Sequence, residues 1–118
     1  VIACGTPGGD QQDQWQLVFL LSHLVGRLPL QAAIDASSWH SNAVPSSFFP
    51  RDWRAGELVL EGRWSADAVE SLRRRGHRVV VSGDWSLGRL CAVSRDPDTG
   101  ELAAAADARG SQAYAIGR

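Results

Sequence analysis

Val1-Ile2-Ala3-Cys4-Gly5-Thr6-Pro7-Gly8-Gly9-Asp10-Gln11-Gln12-Asp13 opens the chain, and the fold is decided by how these residues are read. Residues 1–5 read as the end of a buried strand, residues 6–9 make a turn, and a helix begins at Asp10. Asp10 is a good N-cap, because a carboxylate there accepts from backbone N–H groups that the first turn leaves unpaired. Asp13 falls in that first turn, where negative charge suits the positive end of the helix dipole. From Gln14 two stripes recur at helical spacing, Trp15, Val18, Phe19 and Ser22 on one and Leu17, Leu20, Leu21 and Leu24 on the other. A helix apolar around most of its circumference is expected to lie buried between layers, and Gly26 ends it.

The chemistry of this opening lies in its glycines. Successive glycines let the chain bend tightly and leave their N–H groups bare of side chains. At a helix N-terminus such groups can point at negative charge, either a bound phosphate or the oxyanion that develops when a carbonyl is attacked. Asp10 repels a stable dianion, and no Lys or neighbouring Arg offsets it, so a transient single charge is the easier fit. The alternative is a tight turn that needs small residues and does no chemistry. Spacing alone favours that plainer reading.

Outward from this stretch, Pro29 opens a second helix over 30–36 with Leu30, Ala33 and Ile34 on one face. Residues 37–56 show no clear period but carry Trp39, Phe48, Phe49 and Trp53, too aromatic for a solvated linker, so an ordered and packed loop is expected. Residues 57–62 alternate as a strand. Ser65 caps a helix that runs to Arg75, with Ala68, Val69 and Leu72 facing inward and Gly76 closing it. Strands follow at 78–82, 89–95 and 101–106, the last two joined by the turn Asp96-Pro97-Asp98-Thr99-Gly100. Residues 112–116 read as a final strand. The class is α+β, with helices covering a largely antiparallel sheet.

Composition narrows the chemistry. A chain of 118 residues, 44% hydrophobic and 21% charged, fits one domain able to bury a core. The formal net charge of −1 gives no basic field to collect nucleic acid or an anionic membrane. All twelve basic residues are Arg, which removes a P-loop lysine, a Schiff-base lysine and a Ser-Lys dyad. The longest apolar stretch, 17–25, is interrupted by Ser22 and His23 and falls short of the roughly 20 residues of a membrane span. Cys4 and Cys91 read as free core thiols, and no Cys/His spacing suggests a metal site; no cofactor is expected. His23 reads as a satisfied core group, His40 as a residue lining a cleft, and His77 as a charge partner at a helix end. None has a Ser or Cys motif partner, so a hydrolase triad is unsupported. Arg73, Arg74, Arg75 and Arg78 read as a solvated face, and Asp107 with Arg109 as an ion pair at a turn.

Three pieces in order resemble the C-terminal part of the gamma-glutamyltranspeptidase family. Gly5-Thr6-Pro7-Gly8-Gly9-Asp10 is similar to the family's Pro-Gly-Gly signature after a strand. Leu30-Gln31-Ala32-Ala33-Ile34-Asp35-Ala36, followed by Trp39-His40, resembles its Leu-x-Glu-Ala helix and the loop after it. Asp98-Thr99-Gly100-Glu101-Leu102, running into Asp107-Ala108-Arg109, resembles its closing hairpin and Asp-Pro-Arg turn. Ala108 stands where proline is usual, Ser37-Ser38-Trp39 replaces Pro-Arg-Phe, and Trp85-Ser86-Leu87-Gly88 suggests the divergent, gamma-glutamyltranspeptidase-like branch, in which another amide acyl group can replace gamma-glutamyl.

The resemblance implies part of a four-layer αββα N-terminal nucleophile hydrolase sandwich. It implies that a precursor cuts itself to expose an N-terminal Thr, which attacks a gamma-glutamyl amide and passes the acyl group to water or an amino acid. It assigns the oxyanion-hole N–H groups to Gly8 and Gly9, and places the nucleophile and the glutamate-binding residues upstream of Val1. Residues 1–118 are then expected to be a single domain, a C-terminal fragment of the small subunit, inactive alone and prone to self-association. Its partners would be the remainder of the parent polypeptide and the amide substrate. The competing expectation is a free-standing, non-catalytic binding or scaffold module that uses the aromatic loop 37–53.

Overall fold

A computed structural model describes residues 1–110 and 113–116. In chain order the elements are β1 (Ile2–Gly5), a 3₁₀ turn (Gly9–Gln11), α1 (Gln12–Leu20), a π-helical turn (Leu21–Val25), α2 (Leu30–Asp35), β2 (Trp39–Ser41), β3 (Glu57–Glu61), α3 (Ala66–Arg74), β4 (Arg78–Ser82), β5 (Cys91–Arg95) and β6 (Leu102–Ala106). They form two compact units, residues 1–36 with 88–118 and residues 37–87. The α+β class with mostly antiparallel pairing is as expected.

In the first unit β1, β5 and β6 form an antiparallel sheet in the order β1-β5-β6. Side chains on a strand alternate between faces, and here one face is covered and the other is bare. Ala92 and Ala105, register partners, are buried with Leu90 against Phe19 of α1 and Leu30, Ala33 and Ile34 of α2. Ala3, Val93 and Ala104, also register partners, lie exposed on the opposite face.

The Asp-Ala-Arg turn after β6 is a buried clamp. Asp107 Oδ2 accepts from the Leu90 N–H at 3.1 Å, and Oδ1 accepts from the N–H and Nη1 of Arg109 at 2.8 and 3.0 Å. The guanidinium also donates to the carbonyls of Ile34 and Ala36, at 2.9 and 2.8 Å, filling acceptors that the C-terminal end of α2 leaves open. Both side chains are almost wholly buried, at 2% and 3% exposure. Gln31 of α2 exchanges hydrogen bonds with both backbone groups of Ala106 on the outer edge of β6.

In the second unit β2 pairs antiparallel with β3, and β3 pairs parallel with β4 across the α3 crossover, as a strand–helix–strand unit requires. Ser65 caps α3 by accepting from the Ala68 N–H, and Gly76 closes it at φ 91°. Glu61 at the end of β3 is fully buried, and its two oxygens accept from the N–H groups of Ser38, Ser86 and Leu87 and from Arg63. The Arg63 guanidinium in turn stacks over Trp85, 3.5 Å from the ring centre.

Several local expectations are corrected. Gly8, with φ 137°, takes the cap position ahead of the 3₁₀ turn, so Asp10 sits inside that turn and α1 begins at Gln12. The opening strand is half-buried at Ile2 and Cys4 and exposed at Ala3 and Gly5. The helix buries Phe19, but Leu17, Leu21 and Leu24, on its other face, are exposed at 56, 49 and 61%. It ends in a π-helical turn, where Ser22 Oγ donates to the Val18 carbonyl and competes with the backbone ladder. The segment 37–56 contains β2, unexpected from its composition, and its loop is ordered by Trp53 Nε1 donating to Ala43 O and by Ser46–Asp52 backbone pairing. Phe48, Phe49 and Trp53 nevertheless remain exposed, so the loop is not packed within this chain. Both cysteines are free, yet Cys91 is exposed, because it shares the bare face of the sheet. Residues 113–116 carry no strand; Gln112, with which the expected strand began, lies outside the described residues.

Candidate functional site

The glycine turn is shaped by β1 and by α1. Gly8 and Gly9 have φ of 137° and 60°, values that L side chains rarely adopt. Both residues are exposed. Among the described residues no backbone carbonyl accepts from the Gly8 or Gly9 N–H. Gly8 caps and Gly9 opens the 3₁₀ turn that leads into α1, where aligned peptide dipoles favour negative charge.

Two neighbours fix this turn from below. Thr6 is buried; its Oγ1 donates to the Pro7 carbonyl at 2.9 Å and accepts from the Arg89 N–H at 3.0 Å. That pair of bonds ties the turn to the segment entering β5, 83 residues away in sequence. The Trp15 indole fills the space where a Gly8 side chain would begin, its Cζ3 overlapping a Cβ built there. The same ring lies 3.4–3.6 Å from the Cβ position of Gly88, which also has positive φ, 83°. Sequence reasoning missed both supports. Thr6 reads as one turn residue among several, and Trp15 as one member of an apolar stripe.

The remaining candidates gather elsewhere. His23 Nδ1 lies 2.8 Å from the Leu28 carbonyl, and its ring stacks parallel on Phe19. His40 is buried on β2, and burial lowers its pKa below the ordinary 6.5, opposed by the Glu57 charge and by Asn42. A cleft of about 400 Å³ in this unit is lined by Trp39, Leu60, Trp64, Leu72 and Arg75. His40 is not among its lining residues; strand alternation puts Trp39 there. His77 follows α3, its N–H donating to the Leu72 carbonyl. Arg78 is no mere solvated residue: its guanidinium pairs at 2.9 Å with Glu57, whose buried carboxylate also meets Asn42 and Arg54. The Asn42 hydrogen bond, with the two arginine charges, holds the Glu57 pKa below its ordinary value against the opposing effect of burial. The Asp107–Arg109 ion pair forms as expected.

Among the described residues no helix is long and apolar enough to cross a membrane. The glycine turn combines two exposed residues, in a conformation reserved for glycine, with the junction between β1 and α1.

The chain is similar to known proteins. The gamma-glutamyltranspeptidase family profile matches residues 1–117. The chain is 33% identical over 119 residues to the oxamate amidohydrolase proenzyme of Klebsiella pneumoniae, covering 98% of this chain and 21% of that protein. It is 33% identical over 118 residues to the glutathione hydrolase-like YwrD proenzyme of Bacillus subtilis, covering 95% of this chain and 20% of that protein. A solved structure described as LmbA2991HD matches with a TM-score of 0.95 and 55% identity, over 100% of this chain and 21% of that one. The chain therefore spans about a fifth of the length of these relatives.

Proposed function

The chain belongs to the gamma-glutamyltranspeptidase family, and from that premise we propose that residues 1–118 are a C-terminal domain of the small subunit of an amide-cleaving N-terminal nucleophile enzyme. In this reading Gly8 and Gly9 supply the oxyanion hole. The N-terminal Thr that attacks the amide lies in the part of the parent outside this chain.

The reaction divides into two steps. The Thr oxygen adds to the amide carbonyl, whose oxygen takes up the electron pair, and the Gly8 and Gly9 N–H groups donate to that developing charge. Collapse breaks the C–N bond and the amine leaves with a proton. Water or an amino acid then attacks the acyl-Thr ester in the same way and restores the Thr hydroxyl. Donors fixed before the reaction stabilise both tetrahedral states without reorganisation, the source of their effect on rate.

One observation carries the reading: two exposed glycines at positive φ, Gly8 capping and Gly9 opening a 3₁₀ turn, lie between β1 and α1. The bare face of the sheet supports the fragment assignment, since Ala3, Val93 and Ala104 present the small apolar surface on which a second sheet of an αββα sandwich would pack. The two curated relatives are equally identical to this chain, and their names share hydrolysis, one of them as an amidohydrolase, while differing in the compound hydrolysed. Amide cleavage is therefore the class we assign. The exposed Phe48, Phe49 and Trp53 are the basis of the rival binding-module reading; they fit equally well a surface covered by the rest of a longer parent.

Assaying the chain by itself and the full-length proenzyme side by side, with a gamma-glutamyl anilide and with oxamate, tests the assignment. The full-length protein should turn over at least one of them, and the isolated chain neither. Steady turnover by the isolated chain would contradict it, because two backbone donors provide no nucleophile.

A further inference from the structure

We propose that Trp15 is the positioning residue of the Gly8–Gly9 turn, holding it in the conformation that aims its N–H groups. This rests on the oxyanion-hole reading above and identifies what makes that hole rigid.

The observation is a single indole packed against two glycines 80 positions apart in sequence. Trp15 Cζ3 occupies the Cβ position of Gly8, and Cγ, Cδ2 and Cε3 lie 3.4–3.6 Å from that of Gly88. Both glycines have positive φ, 137° and 83°. Glycine is the residue with most backbone freedom, so two such residues need an outside constraint to stay in one conformation. The ring supplies it. Because it is planar and rigid, it limits how far Gly8 can rotate toward it, and its Cγ, Cδ2 and Cε3 atoms pack against Gly88. The next residue, Arg89, donates its N–H to Thr6 Oγ1, so the segment that supports the ring also ties the strand-side end of the turn. Trp15 sits in the first turns of α1 and is half-buried, with the helix fixing its backbone.

The contact is atom-specific, which makes it testable. Phenylalanine at position 15 retains atoms near those that touch Gly88 but has no counterpart of Cζ3, the atom over Gly8. Leucine loses the flat surface altogether. Displacing reacting groups by about 1 Å can cost on the order of 10²-fold in rate. In the full-length proenzyme, Trp15→Phe should therefore fold normally and lower kcat per folded molecule roughly 3- to 10-fold, and Trp15→Leu roughly 10- to 100-fold, with KM within about twofold. Hydrogen exchange of a peptide spanning residues 5–11 should quicken in both variants, in the same order. A merely structural role would reduce the folded fraction and leave kcat per folded molecule and the local exchange rate unchanged.

If Trp15→Phe, folded, keeps wild-type kcat and wild-type exchange over 5–11 while Gly9→Ala lowers kcat, the role of Trp15 is overturned and the oxyanion hole stands. If Gly9→Ala also leaves kcat unchanged, the oxyanion hole itself fails and the role of Trp15 falls with it. Should Trp15→Leu not fold, the Trp15→Phe measurements decide alone.

Discussion

The two units each bury a carboxylate paired with an arginine, yet they connect it differently. In residues 37–87 Glu61 accepts from donors that lie within 26 positions of it in sequence, and Arg63 is two residues away. This lock closes a strand–helix–strand unit with short-range contacts. In the other unit the Asp107–Arg109 pair reaches Leu90, and Arg109 reaches Ile34 and Ala36 across 75 and 73 positions. Thr6 with Arg89, and Trp15 with Gly88, add ties of similar span. The unit with exposed glycine donors is therefore the one held by long-range ties. Residues in rarely adopted backbone conformations persist where the surrounding structure over-determines them, and here the surroundings come from both ends of the chain.

The contrast can be broken most sharply at Arg109. Arg109→Ala leaves a buried Asp107 charge without its partner and two α2 carbonyls without a donor, so it should destabilise the protein by about 3–5 kcal/mol. Chemical denaturation measures this; a loss below about 1 kcal/mol would show that the pair does not tie α2 to the turn after β6. Glu61→Gln is the milder probe of the local lock. The amide keeps the shape but offers one carbonyl oxygen where the carboxylate offered two, so one pair of donors faces an NH₂ group. A loss of roughly 1–3 kcal/mol is expected. Because this residue lies in the unit without the glycine turn, kcat per folded molecule should not change in the full-length protein.

A smaller effect is expected with pH. Both His40 and Glu57 have pKa values lowered in the folded state, below their ordinary 6.5 and 4.5. For each, the unfolded chain binds a proton more readily over the interval between the two values, so stability rises with pH across that interval. Stability should be full above about pH 6.5 and fall in two steps on acidification, the first from His40 and the second, below about pH 4.5, from Glu57. Asn42→Ala removes the largest cause of the Glu57 shift and should shrink the second step, while the first step should not shrink, because Asn42 opposes the lowering of His40. Urea midpoints measured between pH 3.5 and 8 check this; an unchanged second step in the variant would contradict it.

Legibility followed the sequence range of the contacts in both units, for a physical reason. Elements set by local pattern were readable: α2 from Pro29 and its apolar face, α3 from Ser65 and Gly76, and the β5–β6 hairpin from the 96–100 turn. The glycine turn was legible as a turn between a strand and a helix, since Pro7-Gly8-Gly9 before a helix carries its own signal. What supports it was not, because Thr6, Trp15 and Gly88 gain meaning only from contacts some 80 residues apart. Glu61 was invisible likewise; a carboxylate ending an alternating strand looks solvated until its four donors are placed around it. The expectation for α1 went astray on its second stripe. An apolar face shows what a residue prefers, and Leu17, Leu21 and Leu24 find no cover in the unit they belong to.

The central claim is that the Gly8–Gly9 N–H groups stabilise developing negative charge, and Gly9→Ala in the full-length proenzyme tests it most directly. Alanine at φ 60° is strained by roughly 1–2 kcal/mol, so unfolding must be followed on the same preparation as the kinetics. Alanine keeps the backbone N–H but drives φ away from 60°, so if Gly9 donates to the oxyanion its N–H is misaimed and kcat per folded molecule should fall on the order of 10²-fold while KM changes little. A destabilised variant whose folded molecules retain wild-type kcat would contradict the claim and leave the turn a purely structural one.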